Sequence, residues 1–187
     1  MHKIGKYKLF ELDKLDATVL EMPYTGDRLS MTFILPNAKN GLRKLEEQFN
    51  TIDLSENMNS KAPRHRMYEK EVAIAIPKFK IESTHNLKDS LERMGLKHMF
   101  EAGKADFSGI TDTKELFVSE VIQKAFIEVN EEGGEAAAAT AVMFSRSAVR
   151  NQPSPPEFIC DHPFLFMIKD HLTGMILFSG KITNPVF

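Results

Sequence analysis

The chain has 187 residues, of which 42% are hydrophobic and 27% charged, and its formal net charge is -2. That suits one domain, or a large part of one, with a real core. It excludes a strong electrostatic field for nucleic acid or anionic membrane, and no apolar run is long enough to span a bilayer. The single cysteine, Cys160, rules out an internal disulfide. Its apolar surroundings, "FICDHPFLFMI", predict a buried and inert thiol. Arg64, His65 and Arg66 form the one compact basic cluster, and a solvated surface turn is the expected role.

In chain order, "MHKIGKYKLF" alternates instead of running apolar, so the chain as given shows no secretory leader; an upstream piece would be needed to carry one. "ATVLEMPYTGDRLSMTFILPN" predicts a hairpin. Val19, Leu20 and Met22 precede the turn "YTGD", and Leu29, Met31, Phe33 and Leu35 alternate after it. "NGLRKLEEQF" predicts a short helix with Asn40 as cap and Leu42, Leu45 and Phe49 on one face. Residues 54–66 read as a polar loop. "EVAIAIPKFKIES" predicts two strands meeting at Pro77, which cannot donate to a ladder.

A helix is expected next, capped by Ser83 or Thr84, with Leu87, Leu91 and Met94 on one side and Gly95 as terminator. "ADFSGIT" reads as a turn-rich connection. "ELFVSEVIQKAFIEVN" predicts a strand of roughly 14 residues, about 45 Å long. The chain closes on a second apolar hairpin, "FICDHPFLFMIKD", "HLTG" and "MILFSGKI".

Between the long strand and that hairpin lies "EVNEEGGEAAAATAVMFSRSAVRNQPSPPEF", residues 128–158, with little apolar bulk. The alanines favour helix. The paired Gly133 and Gly134 favour a hinge, and a plain disordered linker is a further reading. A segment with such small side chains also suits a loop that folds back along the preceding strand and becomes a strand itself.

The whole chain resembles the C-terminal half of a serpin. "EVNEEGGEAAAATA" is similar to the hinge at the base of that family's reactive-centre loop, and "FICDHPFLFMI" to its late strand signature. "LPN", "IPKFKIES", "ADFSGIT" and "LFSGKITNP" agree in order and spacing. The resemblance implies an α+β fold, the C-terminal half of a serpin. That fold has a mixed large sheet, smaller antiparallel sheets, few helices and an exposed reactive-centre loop. Residues 1–130 would hold the strands and helices leading to the long strand, 131–157 the hinge and loop, and 158–187 the closing hairpin. A complete serpin is about twice this long. The expected partner is therefore the missing N-terminal half, which would sit across an insertion slot edged by Phe117–Asn130.

The resemblance further implies a suicide-type inhibitor of serine proteases that is cleaved and inserts its loop, and not an enzyme. Glu131 opens the hinge, followed by Glu132, Gly133, Gly134, Glu135, Ala136, Ala137, Ala138, Ala139 and Thr140. Lys78 aligns with a lysine that pairs with the Glu131 carboxylate. Gly134 replaces the family's usual small hydroxylated or apolar residue, and Gln123 stands where many members carry histidine. Family spacing puts the attacked bond at Ser147–Ala148, whereas the preference of trypsin-like proteases for arginine favours Arg146–Ser147. Arg150, Phe144 and Met143 are further candidates.

Asp161 and His162 are adjacent, so on a strand they would point to opposite faces and could not form a catalytic dyad. No metal spacing, phosphate loop or nucleophile elbow is present, and no metal or cofactor is expected. The family implies an extracellular location, with an intracellular one as alternative. A non-inhibitory binding or carrier protein with the same fold, or a partial chain without activity, remain the competing functions.

Overall fold

The computed structural model of the chain describes residues 1–49, 68–112, 115–130 and 154–187. The Arg64–Arg66 cluster and the polar stretch 54–66 lie outside them. The described residues form two compact units, Met1–Lys78 with Asn130–Phe187, and Phe79–Val129.

The first unit is built on a seven-stranded sheet. Its strands are β1 (His2–Leu12), β2 (Ala17–Pro23), β3 (Leu29–Pro36), β4 (Glu69–Ala75), β7 (Glu157–Ile159), β8 (Phe164–Asp170) and β9 (Ile176–Ile182), in the order β7-β4-β1-β2-β3-β8-β9. All neighbours are antiparallel except β4 and β7, which run parallel, so the sheet is mixed. The alternation of "MHKIGKYKLF" becomes the long strand β1. Its first part pairs with β4, from His2↔Ala75 to Lys8↔Glu69, and its last part with β2, from Lys8↔Glu21 to Leu12↔Ala17. Lys8 belongs to both ladders, and its Nζ lies 2.8 Å from Glu21 Oε1.

The β2–β3 hairpin is the expected one. Gly26 (φ 89°) and Asp27 (φ 55°) occupy left-handed positions in its turn, where glycine and aspartate are tolerated best. The alternation of β3 understates its burial, because Ser30 through Pro36 are all buried. One face carries Phe33 in register with Leu20 and Phe166, its ring 6.0 Å from Phe164. The other carries Ile34, clustered with Leu12, Leu15, Ala17, Val19, Leu45 and Met167. Helix α1 (Leu42–Phe49) supplies Leu45 to that cluster and packs Phe49 against it, as the helical spacing predicts. At the other edge, Ile176, Leu177 and Phe178 are consecutive and all exposed, so both faces of β9 are uncovered there.

The second unit pairs β5 (Phe79–Asn86) with β6 (Ile122–Val129), antiparallel, from Phe79↔Val129 to Asn86↔Ile122. The break at Pro77 between β4 and β5 is where the sequence places it. Two expectations need correction. Ser83 and Thr84 lie within β5 and do not cap the following helix, α2 (Lys88–Arg93). The Asn86 Oδ1 accepts the Lys88 N–H at 3.1 Å instead. Gly95, at φ 98°, does terminate it.

The strand expected over residues 115–130 is also shorter. β6 begins at Ile122, which pairs with Asn86, the last residue of β5. Upstream, the Val118 N–H is committed to Met99 O at 2.8 Å and Val121 O accepts from the Leu87 N–H.

Candidate functional site

The segment that carries the predicted chemistry leaves β6 and re-enters the described structure just before β7. The hinge residues Glu131 to Thr140 lie outside the described residues. So do the reactive-bond candidates Met143, Phe144, Arg146, Ser147, Ala148 and Arg150. The predicted Lys78–Glu131 pair has one member among them: Lys78 is exposed, and Glu131 falls outside.

On the N-terminal side of the loop stands β6. Within the two-stranded sheet it is bonded to β5 alone among the described residues. One face of the pair carries Phe79, Ile81 and Ser83 opposite Val129, Ile127 and Ala125, all half-buried. The other face mixes Lys80, Glu82 and Thr84 with the exposed Phe126 and Ile122, and Lys80 Nζ sits 5.1 Å from the centre of the Phe126 ring. Gln123 lies opposite His85, and both are exposed. Exposed aromatic and aliphatic side chains beside a strand that pairs on one side among the described residues are chemically suited to meet another strand.

On the C-terminal side the loop is fastened by β7, a three-residue edge strand. Ala73 N–H donates to Pro156 O and Cys160 N–H to Ala75 O, both at 2.9 Å. Phe158 is buried between exposed Glu157 and Ile159. Cys160 is fully buried, and that burial pushes its thiol well above the usual range, so the expectation of an inert cysteine agrees with its surroundings.

The strand geometry expected for Asp161 and His162 is not what the structure has. Their side chains meet, with His162 Nδ1 2.6 Å from Asp161 Oδ1, and His162 Nε2 lies 2.6 Å from Pro36 O. The residues fall between β7 and β8, not on a strand, so the alternation rule does not govern them. The signal was present in Pro163, which restricts the backbone of the residue before it and interrupts the ladder. His162 is the first cause of the lowered Asp161 carboxyl, with Lys39, 3.6 Å away, adding to it. Lys39 is a further member of this cluster that the sequence did not single out.

Comparison with known proteins fits this arrangement. The family model described as serpin (serine protease inhibitor) matches residues 1–185. Human serpin B3 is 42% identical over 185 residues, covering 99% of this chain and 46% of its own length. The leukocyte elastase inhibitor A of Rattus norvegicus is 38% identical over 189 residues, covering 99% of this chain and 48% of its own.

Among solved structures, Serpin48 of the insect Tenebrio molitor, described as a highly specific serpin, matches with a TM-score of 0.71 and 39% identity. It covers 100% of this chain and 46% of the other. Uncleaved ovalbumin matches with a TM-score of 0.73 and 29% identity over 99% of this chain and 44% of its own. The chain thus spans about half the length of the relatives it matches. With the mixed large sheet, the small antiparallel pair and the few helices, these matches establish an α+β partial serpin fold, and the chain belongs to the serpin family.

Proposed function

We propose that the protein inhibits serine proteases by a suicide mechanism, with the segment between β6 and β7 as bait. The serine of the protease attacks the carbonyl of Arg146. The bond to the Ser147 nitrogen breaks, an ester to the protease forms, and a new amine is left on Ser147. The freed segment from Glu131 onward then pairs as a new strand and carries the bound protease with it.

The observation that carries this reading is the composition of residues 131–140, small and glycine-hinged, directly after β6. Alanines enter a gap between strands without displacing packed bulk. Such a strand gains on the order of 10–20 backbone hydrogen bonds, each worth ~0.5–1.5 kcal/mol net. That is comparable to the ~5–15 kcal/mol stability of a whole domain. Lys78 and Glu131 form an ion pair at the base of the loop in this reading. The N-terminal half of the same protein supplies the other side of the slot.

A trypsin-like target is favoured by Arg146, which matches a carboxylate at the base of a protease pocket. The attacked bond is Arg146–Ser147, ahead of Ser147–Ala148 and of Arg150. The relatives, serpin B3 and the leukocyte elastase inhibitors among them, give no support to the extracellular location expected from the family, and the intracellular alternative suits them better.

The test is incubation of the whole protein with trypsin. A complex that survives SDS, with mass spectrometry placing the cut after Arg146, supports the reading. Clean cleavage without a complex favours the alternative, a serpin-fold binding or carrier protein that does not trap.

A further inference from the structure

β7 is the most weakly held strand of the seven-stranded sheet. Among the described residues it is three residues long, lies at an edge, pairs on one side only and buries one side chain, Phe158. β8, which follows, is the opposite. It pairs with β3 on one side and β9 on the other, and it buries Phe164, Phe166 and Met167. Any force on the preceding loop is transmitted through β7, and four residues separate the weak strand from the strong one.

Two of those four residues make an unusual fastening. The His162 side chain is 11% exposed, and each ring nitrogen lies 2.6 Å from an oxygen that carries no hydrogen. One oxygen belongs to the Asp161 carboxylate and the other to the carbonyl of Pro36. The ring thus spans the crossover residue Asp161 and the end of β3 at Pro36. The Pro36 end is itself braced. The Asn37 N–H donates to Asp16 O, Asn37 Nδ2 donates to Asp16 Oδ1, and Asn37 Oδ1 accepts from Thr18 Oγ1, each at 2.9 Å. The second Asp161 oxygen faces Lys39 in the same turn at 3.6 Å.

We propose that the Asp161–His162 pair is a mechanical stop, fastening the crossover between β7 and β8 to the end of β3 so that release of β7 ends at Cys160. The stop acts on the anchored side of the loop, opposite the hinge, and does not depend on whether the loop traps a protease. It lets the loop-bearing edge strand open by itself while the core strand behind it stays paired. Opening then remains local, as it does when a weakly paired unit abuts a strongly paired one.

The test is hydrogen exchange on the whole protein, read residue by residue. In the unsubstituted protein the amides of Ala73 and Cys160, which hold β7, exchange by local opening. The amides of Leu165 to Asp170 exchange at least about tenfold more slowly. In His162→Phe, which keeps a ring and loses both ring nitrogens, the exchange of Leu165 and Phe166 rises by about tenfold toward that of β7, while the β2–β3 amides do not change. His162→Gln, which keeps a donor toward Pro36, recovers part of the difference.

β8 exchange unmoved by His162→Phe overturns the stop. Should that variant fail to fold, the unsubstituted protein still decides: β7 and β8 opening together, at one rate, also overturns it.

Discussion

Gly180 shows how closely the sheet is packed at the level of a single atom. It lies opposite Phe166 in the β8–β9 ladder, and a Cβ placed on it would approach the ring Cζ to 2.5 Å. Phe166 is buried and cannot swing away. Gly180→Ala therefore costs about 1–3 kcal/mol of stability through overpacking, measured as a lower urea midpoint with an unchanged slope.

Asp170 makes a second residue-scale prediction. Its carboxylate is buried and accepts from Arg28 Nη2 at 3.0 Å and from the Leu172 N–H at 2.8 Å, and these bonds hold its pKa below the usual aspartate value, Arg28 most of all. An unfolded aspartate ionises near about 3.9. The contribution of Asp170 is thus complete above that value and is lost as pH falls through the lower folded one. Asp170→Asn removes this dependence. Between pH 5 and pH 3 the urea midpoint of the variant should fall less than that of the unsubstituted protein, and equal falls would refute the assignment.

At the scale of elements, strands set by local alternation and closed by local turns were legible. The β2–β3 hairpin, the break at Pro77 and the α1 face formed by Leu42, Leu45 and Phe49 follow from neighbours in sequence. Elements defined by distant partners were not. The parallel pairing of β7 with β4 joins residues more than 80 positions apart, and no local pattern announces it. β6 begins at Ile122, opposite the last residue of β5, which leaves Leu116, Phe117 and Val118 outside the strand despite their strand-like composition.

The Asp161–His162 contact was hidden by treating "FICDHPFLFMI" as one strand, when Pro163 divides it. The hinge expected over residues 131–140 rests on the resemblance, since the composition alone also suits a helix or a linker, and it lies outside the described residues. Gly134 tests the insertion that the resemblance implies. A position that must enter a sheet cannot carry an unpaired charge inward without a large desolvation cost. Gly134→Arg should leave cleavage after Arg146 intact and reduce the SDS-stable complex by tenfold or more in a gel assay of protease against inhibitor. Trapping at normal stoichiometry would contradict the insertion model.

For the whole molecule, β6 pairs with β5 alone among the described residues, and Ile176, Leu177 and Phe178 expose both faces of β9. The family match spans nearly the whole chain but about half of each relative. Once the loop of the complete protein is cut, it should enter the sheet and strengthen it. A gain of ~5 kcal/mol or more from added backbone hydrogen bonds corresponds to a rise in Tm of about 6 °C or more in a protein twice this length. The most direct measurement is calorimetry of the whole protein before and after a single cut in residues 143–150. A markedly higher Tm for the cut form is the predicted result, and an equal or lower one would contradict insertion as the source of inhibition.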